Sequence, residues 1–135
     1  MKAKDIMVTD VVMVEESFTV EKALKIMVEK KVSSLIVNRV HDDDSYGIIT
    51  RRDIVNKMVA AWKDPAKTKV KNIMTKPLLV ISPNLSIHDI ARLMVHTNVR
   101  RMPVFDGHDI MGIVSNSDIF LGYADHIKSS KEFID

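Results

Sequence analysis

Apolar and polar positions change period in a fixed order along this chain, and they do so twice. Val11-Val12-Met13-Val14 is a short apolar run that reads as a buried strand. Val20, Ala23, Leu24, Met27 and Val28 then recur at helical spacing, with Glu21, Lys22, Lys25 and Glu29 on the outside. Thr19 stands where that helix needs an N-cap. Leu35-Ile36-Val37 and Tyr46-Gly47-Ile48-Ile49 predict two strands joined by a polar loop around His41-Asp42-Asp43-Asp44. A second helix carries Ile54, Val55, Met58, Val59 and Trp62 on one face. The later half predicts the same series at 78–81, 87–95, 102–105 and 110–114, then a shorter helix from about Asn116. Ser86 caps its first helix, with Asp89 three residues on.

The two halves also align residue by residue. A shift of 67 takes Lys4-Asp5-Ile6-Met7 onto Lys71-Asn72-Ile73-Met74, Phe18-Thr19-Val20 onto Leu85-Ser86-Ile87, and Val37 onto Val104. After two residues drop out of a polar stretch the shift is 65, taking Gly47-Ile48-Ile49-Thr50 onto Gly112-Ile113-Val114-Ser115 and Asp53 onto Asp118. This is a tandem duplication of a β-α-β-β-α unit. The repeats span 2–62 and 70–123, with a Lys-rich linker at 63–69 and a tail at 124–135. A unit of about 60 residues buries little surface alone. The expected α+β architecture therefore packs two units sheet to sheet with pseudo-two-fold symmetry. Ile26 and Leu93 align on the more polar flank of their helices. They belong either to a broad core-facing stripe or to a patch buried against another subunit.

Composition narrows the function classes. Of 135 residues, 46% are hydrophobic and 28% charged, an ordinary globular balance. Twenty Lys and Arg against 18 acids leave a net charge of +2, without the basic excess of a nucleic-acid-coating protein. Aromatic residues at 5% are few for base-stacking platforms. The absence of cysteine excludes disulfides, thiolate catalysis and cysteine zinc sites, and fits a cytoplasmic protein. No window approaches the roughly 18 apolar residues of a membrane span, and the first ten residues are too charged for a signal core.

Paired Asp/Asn-Ile-Met words, the β-α-β-β-α unit, and Gly-Ile-Ile-Thr-x-x-Asp with Gly-Ile-Val-Ser-x-x-Asp resemble a tandem pair of CBS domains, the Bateman module. The likeness covers residues 2–123. It implies a regulatory module, not an enzyme, that binds AMP, ADP or ATP, sometimes S-adenosylmethionine, in clefts between the repeats. The adenine nucleotide would be a regulatory ligand rather than a catalytic cofactor. Such a module reports binding to a regulated partner, and a homodimer formed through its helices is expected. The alternative is a scaffold with empty clefts that docks a partner through its helical face.

Thr50-x-x-Asp53 and Ser115-x-x-Asp118 each end a glycine-started strand and open a helix. As local structure alone, this is a capping pattern worth about 1 kcal/mol. As chemistry, a carboxylate accepts from both hydroxyls of a ribose, and a hydroxyl at a helix N-terminus suits phosphate. The resemblance assigns ribose to Asp53 and Asp118, with Thr50 and Ser115 beside the ribose-phosphate. It also implies crossed clefts. Thr50, Asp53 and the strand residue Ile48 would face Pro77, Leu78, Val99, Arg100 and Arg101. Ser115 and Asp118 would face Asp10, Val11, Val32, Ser33 and Ser34. Arg100-Arg101 aligns with Ser33-Ser34, so the Asp53 cleft is expected to hold the phosphate-binding guanidiniums.

Other patterns carry less. Arg51 and Arg52 either reach phosphate or are solvated. The His41–Asp44 run lacks the spacing of a calcium loop, and His88, Arg92 and His96 share one polar helix face without a zinc motif. Lys63, Lys67, Lys69, Lys71 and Lys76 read as solubilising linker charge. Met27, Met58 and Met94 read as adaptable core filling. Ser115 and His108 form no nucleophile pattern.

Overall fold

The computed structural model describes residues 1–134, with side chains to Ser130. The chain forms two compact units whose boundaries are not those of the repeats. One is Val12–Leu78; the other joins Met1–Val11 to the chain from Leu79 onward. Each repeat thus gives its leading segment to the unit built by the other.

In the 12–78 unit, β1 (Met13–Val14) pairs in parallel with β2 (Ser34–Val37), which pairs antiparallel with β3 (Gly47–Thr50). Between β1 and β2 lies α2 (Val20–Lys30). The Lys22 N–H donates to Thr19 Oγ1 at 3.1 Å, so the expected cap is made. Val14, Val20, Ala23, Met27, Leu35, Ile49 and Met58 form the core with Val70 and Ile73 of the second repeat's leading segment. Ile26 packs against this core, as the broad-stripe reading has it.

The expected second helix is divided. α3 (Arg51–Ile54) passes into a π-helical turn over Val55–Val59, where the Ala60 N–H reaches Val55 O at 2.9 Å. The predicted five-residue apolar face is therefore split. Ile54 and Met58 are buried, while Val55, Val59 and Trp62 are exposed, Trp62 at 94%. Leu24 and Val28, expected in the α2 stripe, are exposed as well.

In the other unit, α1 (Ala3–Ile6) is a single turn from the first repeat. α4 (Ile87–Thr97) is followed by antiparallel β4 (Arg101–Phe105) and β5 (Ile110–Ser115). Asp89 N–H donates to Ser86 Oγ at 3.2 Å, making the second predicted cap. The strand predicted at 78–81 is reduced to one parallel bridge between Ile81 and Val104. Pro77 has no N–H to offer a ladder, and the Leu78 N–H is taken by Tyr46 O at 3.0 Å. Ala3, Ile81, Ile90, Met94, Met102, Val104 and Val114 form this unit's core, with Leu93 packed against it. The last helix, α5 (Asn116–Ile134), is longer than its counterpart rather than shorter, and runs through the expected tail. The first repeat meets Asp64-Pro65 at the corresponding place, whereas no proline follows Pro103.

The glycine of each Gly-Ile motif marks where a leading segment crosses. Val8 and Ile113 bridge antiparallel, as do Ile48 and Thr75. A Cβ on Gly112 would stand 2.7 Å from Val8 O, and one on Gly47 3.2 Å from Thr75 O. At Gly112 the crossing backbone leaves no room for a side chain, while at Gly47 a methyl group would be a tight fit.

Candidate functional site

Each Ser/Thr-x-x-Asp turn closes a reciprocal cap. The Thr50 N–H and hydroxyl donate to Asp53 Oδ2 at 2.9 and 3.0 Å, and the Asp53 N–H returns to Thr50 Oγ1 at 3.1 Å. Ser115 and Asp118 repeat this at 2.8, 2.8 and 3.2 Å. The structural reading of the motif is therefore realised in both repeats, and it uses one oxygen, Oδ2, of each carboxylate. The other oxygens differ. Asp53 Oδ1 is ion-paired with Lys57 Nζ at 3.1 Å, whereas Asp118 has no ion pair among the described residues.

The strand beside each turn supplies the next residues. Arg101 lies opposite Ser115 in the β4–β5 register, and the Asn116 N–H donates to Arg100 O at 2.9 Å. Arg100, Arg101, Ser115, Asn116 and Ser117 line a depression of about 500 Å³. In the 12–78 unit, Ser34 lies opposite Thr50 and the Arg51 N–H donates to Ser33 O at 3.0 Å. The arginine pair is thus grouped with Ser115 and Asp118, not in the unit that holds Thr50 and Asp53. Antiparallel pairing sets Arg101 beside the turn of its own repeat, as it sets Ser34. Val99 directly precedes the arginines, outside that unit's turn.

The leading segments do cross. Val11 belongs to the unit of Ser115 and Asp118, and Pro77 and Leu78 to that of Ile48, Thr50 and Asp53. Lys76 fixes the second segment just before Pro77. Its ammonium lies 2.6 Å from Asp44 Oδ2 and 3.7 Å from Glu16 Oε2. The hydrogen bond from Lys76 holds the Asp44 carboxyl below its ordinary pKa, and that bond raises Lys76 in turn.

Several side chains went unrecognised in the sequence. Asn116 and Ser117 line the depression only because they follow Ser115 at the helix start. Lys57 had a legible signal, a lysine four residues after an acid on a helix. Arg51 and Arg52 are exposed at the start of α3. Arg51 and Ser33 also edge an apolar groove of about 610 Å³ with Leu24, Val28 and Val55. Among the described residues, no group of three or more His, Cys, Asp or Glu is placed to hold a metal ion, and no helix is long and apolar enough to cross a membrane.

A profile of the CBS domain matches residues 3–60 and again 70–125. The chain belongs to the CBS-domain family. Its two CBS repeats are 32% identical over 116 residues to the CBS domain-containing protein YhcV of Bacillus subtilis, covering 86% of this chain and 81% of that one. They are 33% identical over 124 residues to hypoxic response protein 1 of Mycobacterium tuberculosis, covering 92% and 86%. Among solved structures, the hexameric CBS-CP12 protein from bloom-forming cyanobacteria superposes with a TM-score of 0.86 at 39% identity, over 99% of this chain and 85% of that one. The fold is the α+β CBS pair.

Proposed function

We propose that this CBS pair is a regulatory sensor of adenine nucleotides (AMP, ADP or ATP), with Arg100, Arg101, Ser115 and Asp118 as its principal site. The observation that carries this reading is the depression where two adjacent arginines meet a Ser-x-x-Asp turn. Guanidiniums bind phosphate oxygens in forked pairs, and the start of a 19-residue helix adds free N–H groups and partial positive charge. Asp118 Oδ1 then accepts from a ribose hydroxyl, with Ser115 beside the ribose-phosphate. Val11 and Val99 are apolar neighbours for the base. Thr50 and Asp53, with Ile48, Ser33, Pro77 and Leu78, form the second site. Recognition breaks no bond in this account; the nucleotide acts by favouring the conformation it binds better, which a regulated partner reads.

Self-association is part of the reading. Val28 and Val95 occupy corresponding helix positions and are 69% and 80% exposed; Val55 and Phe120 correspond at 55% and 69%. Apolar faces duplicated in both repeats are suited to meeting a second copy across a two-fold axis. The hexameric CBS-CP12 neighbour supports assembly of this kind.

A thermal-shift panel of AMP, ADP, ATP, NAD and S-adenosylmethionine tests the function. A ligand at a hundredfold excess over its Kd stabilises by about 2.7 kcal/mol, so at least one adenine nucleotide is expected to raise Tm by several degrees. A flat panel contradicts nucleotide sensing and favours the scaffold reading.

A further inference from the structure

We propose that Lys57 makes the two CBS turns unequal nucleotide sites, holding Asp53 in an internal ion pair while Asp118 stays open to a ribose. The inference rests on the nucleotide reading above and adds which site fills first and why.

The two turns are alike up to one side chain. In each, the Asp Oδ2 is occupied by the N–H and hydroxyl of the residue that opens the helix. Only Oδ1 remains to accept from a sugar. At Asp53 that oxygen faces Lys57 Nζ at 3.1 Å. The ammonium is held from a second side as well, donating to the Ile73 carbonyl at 2.8 Å. Lys57 is therefore tethered between the turn and the crossing segment of the other repeat. The Asp53 side chain is only 13% exposed, so little of the carboxylate is left beyond this pair.

At the corresponding place in the second repeat the chain has Gly122. A lysine there would force Ile6 to move, because a Cβ on Gly122 would stand 2.8 Å from Ile6 Cγ2. Ile6 and Ile73 themselves correspond in the duplication. The same crossing segment thus anchors a lysine against one Asp and packs an isoleucine against a bare backbone beside the other. Among the described residues, nothing competes with a ligand for Asp118 by an ion pair.

A ribose hydroxyl at Asp53 has to displace or share an ammonium. For a partly exposed pair that competition weakens binding by about two- to fivefold. Calorimetric titration of ATP, with AMP in parallel, into the full chain reads both sites at once. The wild type is expected to bind one nucleotide more tightly at a site weakened by Arg100→Ala, and a second more weakly. Lys57→Ala is expected to tighten only the second event by about two- to fivefold. Lys57→Met, which keeps the apolar stem, guards against lost packing and is expected to do the same. Two equal sites in the wild type overturn the inference, as does a second event left unchanged or weakened by both Lys57 variants; nucleotide sensing stands in either case. No binding of ATP or AMP to any of these proteins overturns the nucleotide reading itself, and this inference with it.

Discussion

A methyl group on Gly112 would press on the Val8 carbonyl oxygen at 2.7 Å and on Met7 Sδ at 2.9 Å. One on Gly47 would meet the flexible Met74 sulfur at 3.1 Å and Thr75 O at 3.2 Å. Forcing atoms into such a gap costs about 1–3 kcal/mol. Urea denaturation is expected to show Gly112→Ala losing stability in that range, and Gly47→Ala losing less; equal stability of Gly112→Ala and wild type contradicts the close approach. The glycines were legible as strand starts, but not as crossing points, because the backbone that presses on them comes from about a hundred residues away for Gly112. Asp53 and Asp118 were legible as both cap and ligand. What the spacing of Thr50 and Asp53 does not carry is that the cap consumes one carboxylate oxygen, leaving a single-oxygen grip where two were expected.

At the scale of elements, the capped helices α2 and α4 were plain in the sequence because Thr19 and Ser86 precede unbroken stripes. The stripe does not say which of its members find a partner. Ala23 and Met27 do, while Leu24 and Val28 look outward. Beyond α3, Ile54 and Met58 stay in the core, while Val55 and Val59, each one position on, face outward along the π turn. The exposed set is large for a solvent-facing surface. Size-exclusion chromatography with light scattering is expected to give a mass at least twice the 15.3 kDa of one chain. The double variant Val28→Lys/Val59→Lys is expected to shift that mass toward the monomer. A 15.3 kDa wild type contradicts pairing through these helices.

Over the whole molecule, the duplication was legible from one shift and one small deletion, and the CBS domain matches twice, at 3–60 and 70–125. The sequence does not display which segments share a core. Val70 and Ile73 are almost fully buried in the 12–78 unit, and Ala3 in the other, so each repeat completes its core with the other's leading residues. The chemistry is redistributed as well as repeated. The first repeat has serines on the strand and Arg51-Arg52 on the helix; the second has Arg100-Arg101 on the strand and Asn116-Ser117 on the helix. Each repeat thus carries one adjacent arginine pair, at the start of the helix in the first and of the strand in the second. The resemblance implies a crossed cleft in which the strand pair faces Asp53; strand register sets Arg101 opposite Ser115, and the proposed principal site is built there. A crystal structure of the chain grown with ATP tests that assignment most directly. Phosphate oxygens are expected at Arg100 and Arg101, and a ribose hydroxyl within hydrogen-bond distance of Asp118 Oδ1. Nucleotide bound at Asp53 with the Asp118 site empty would contradict it.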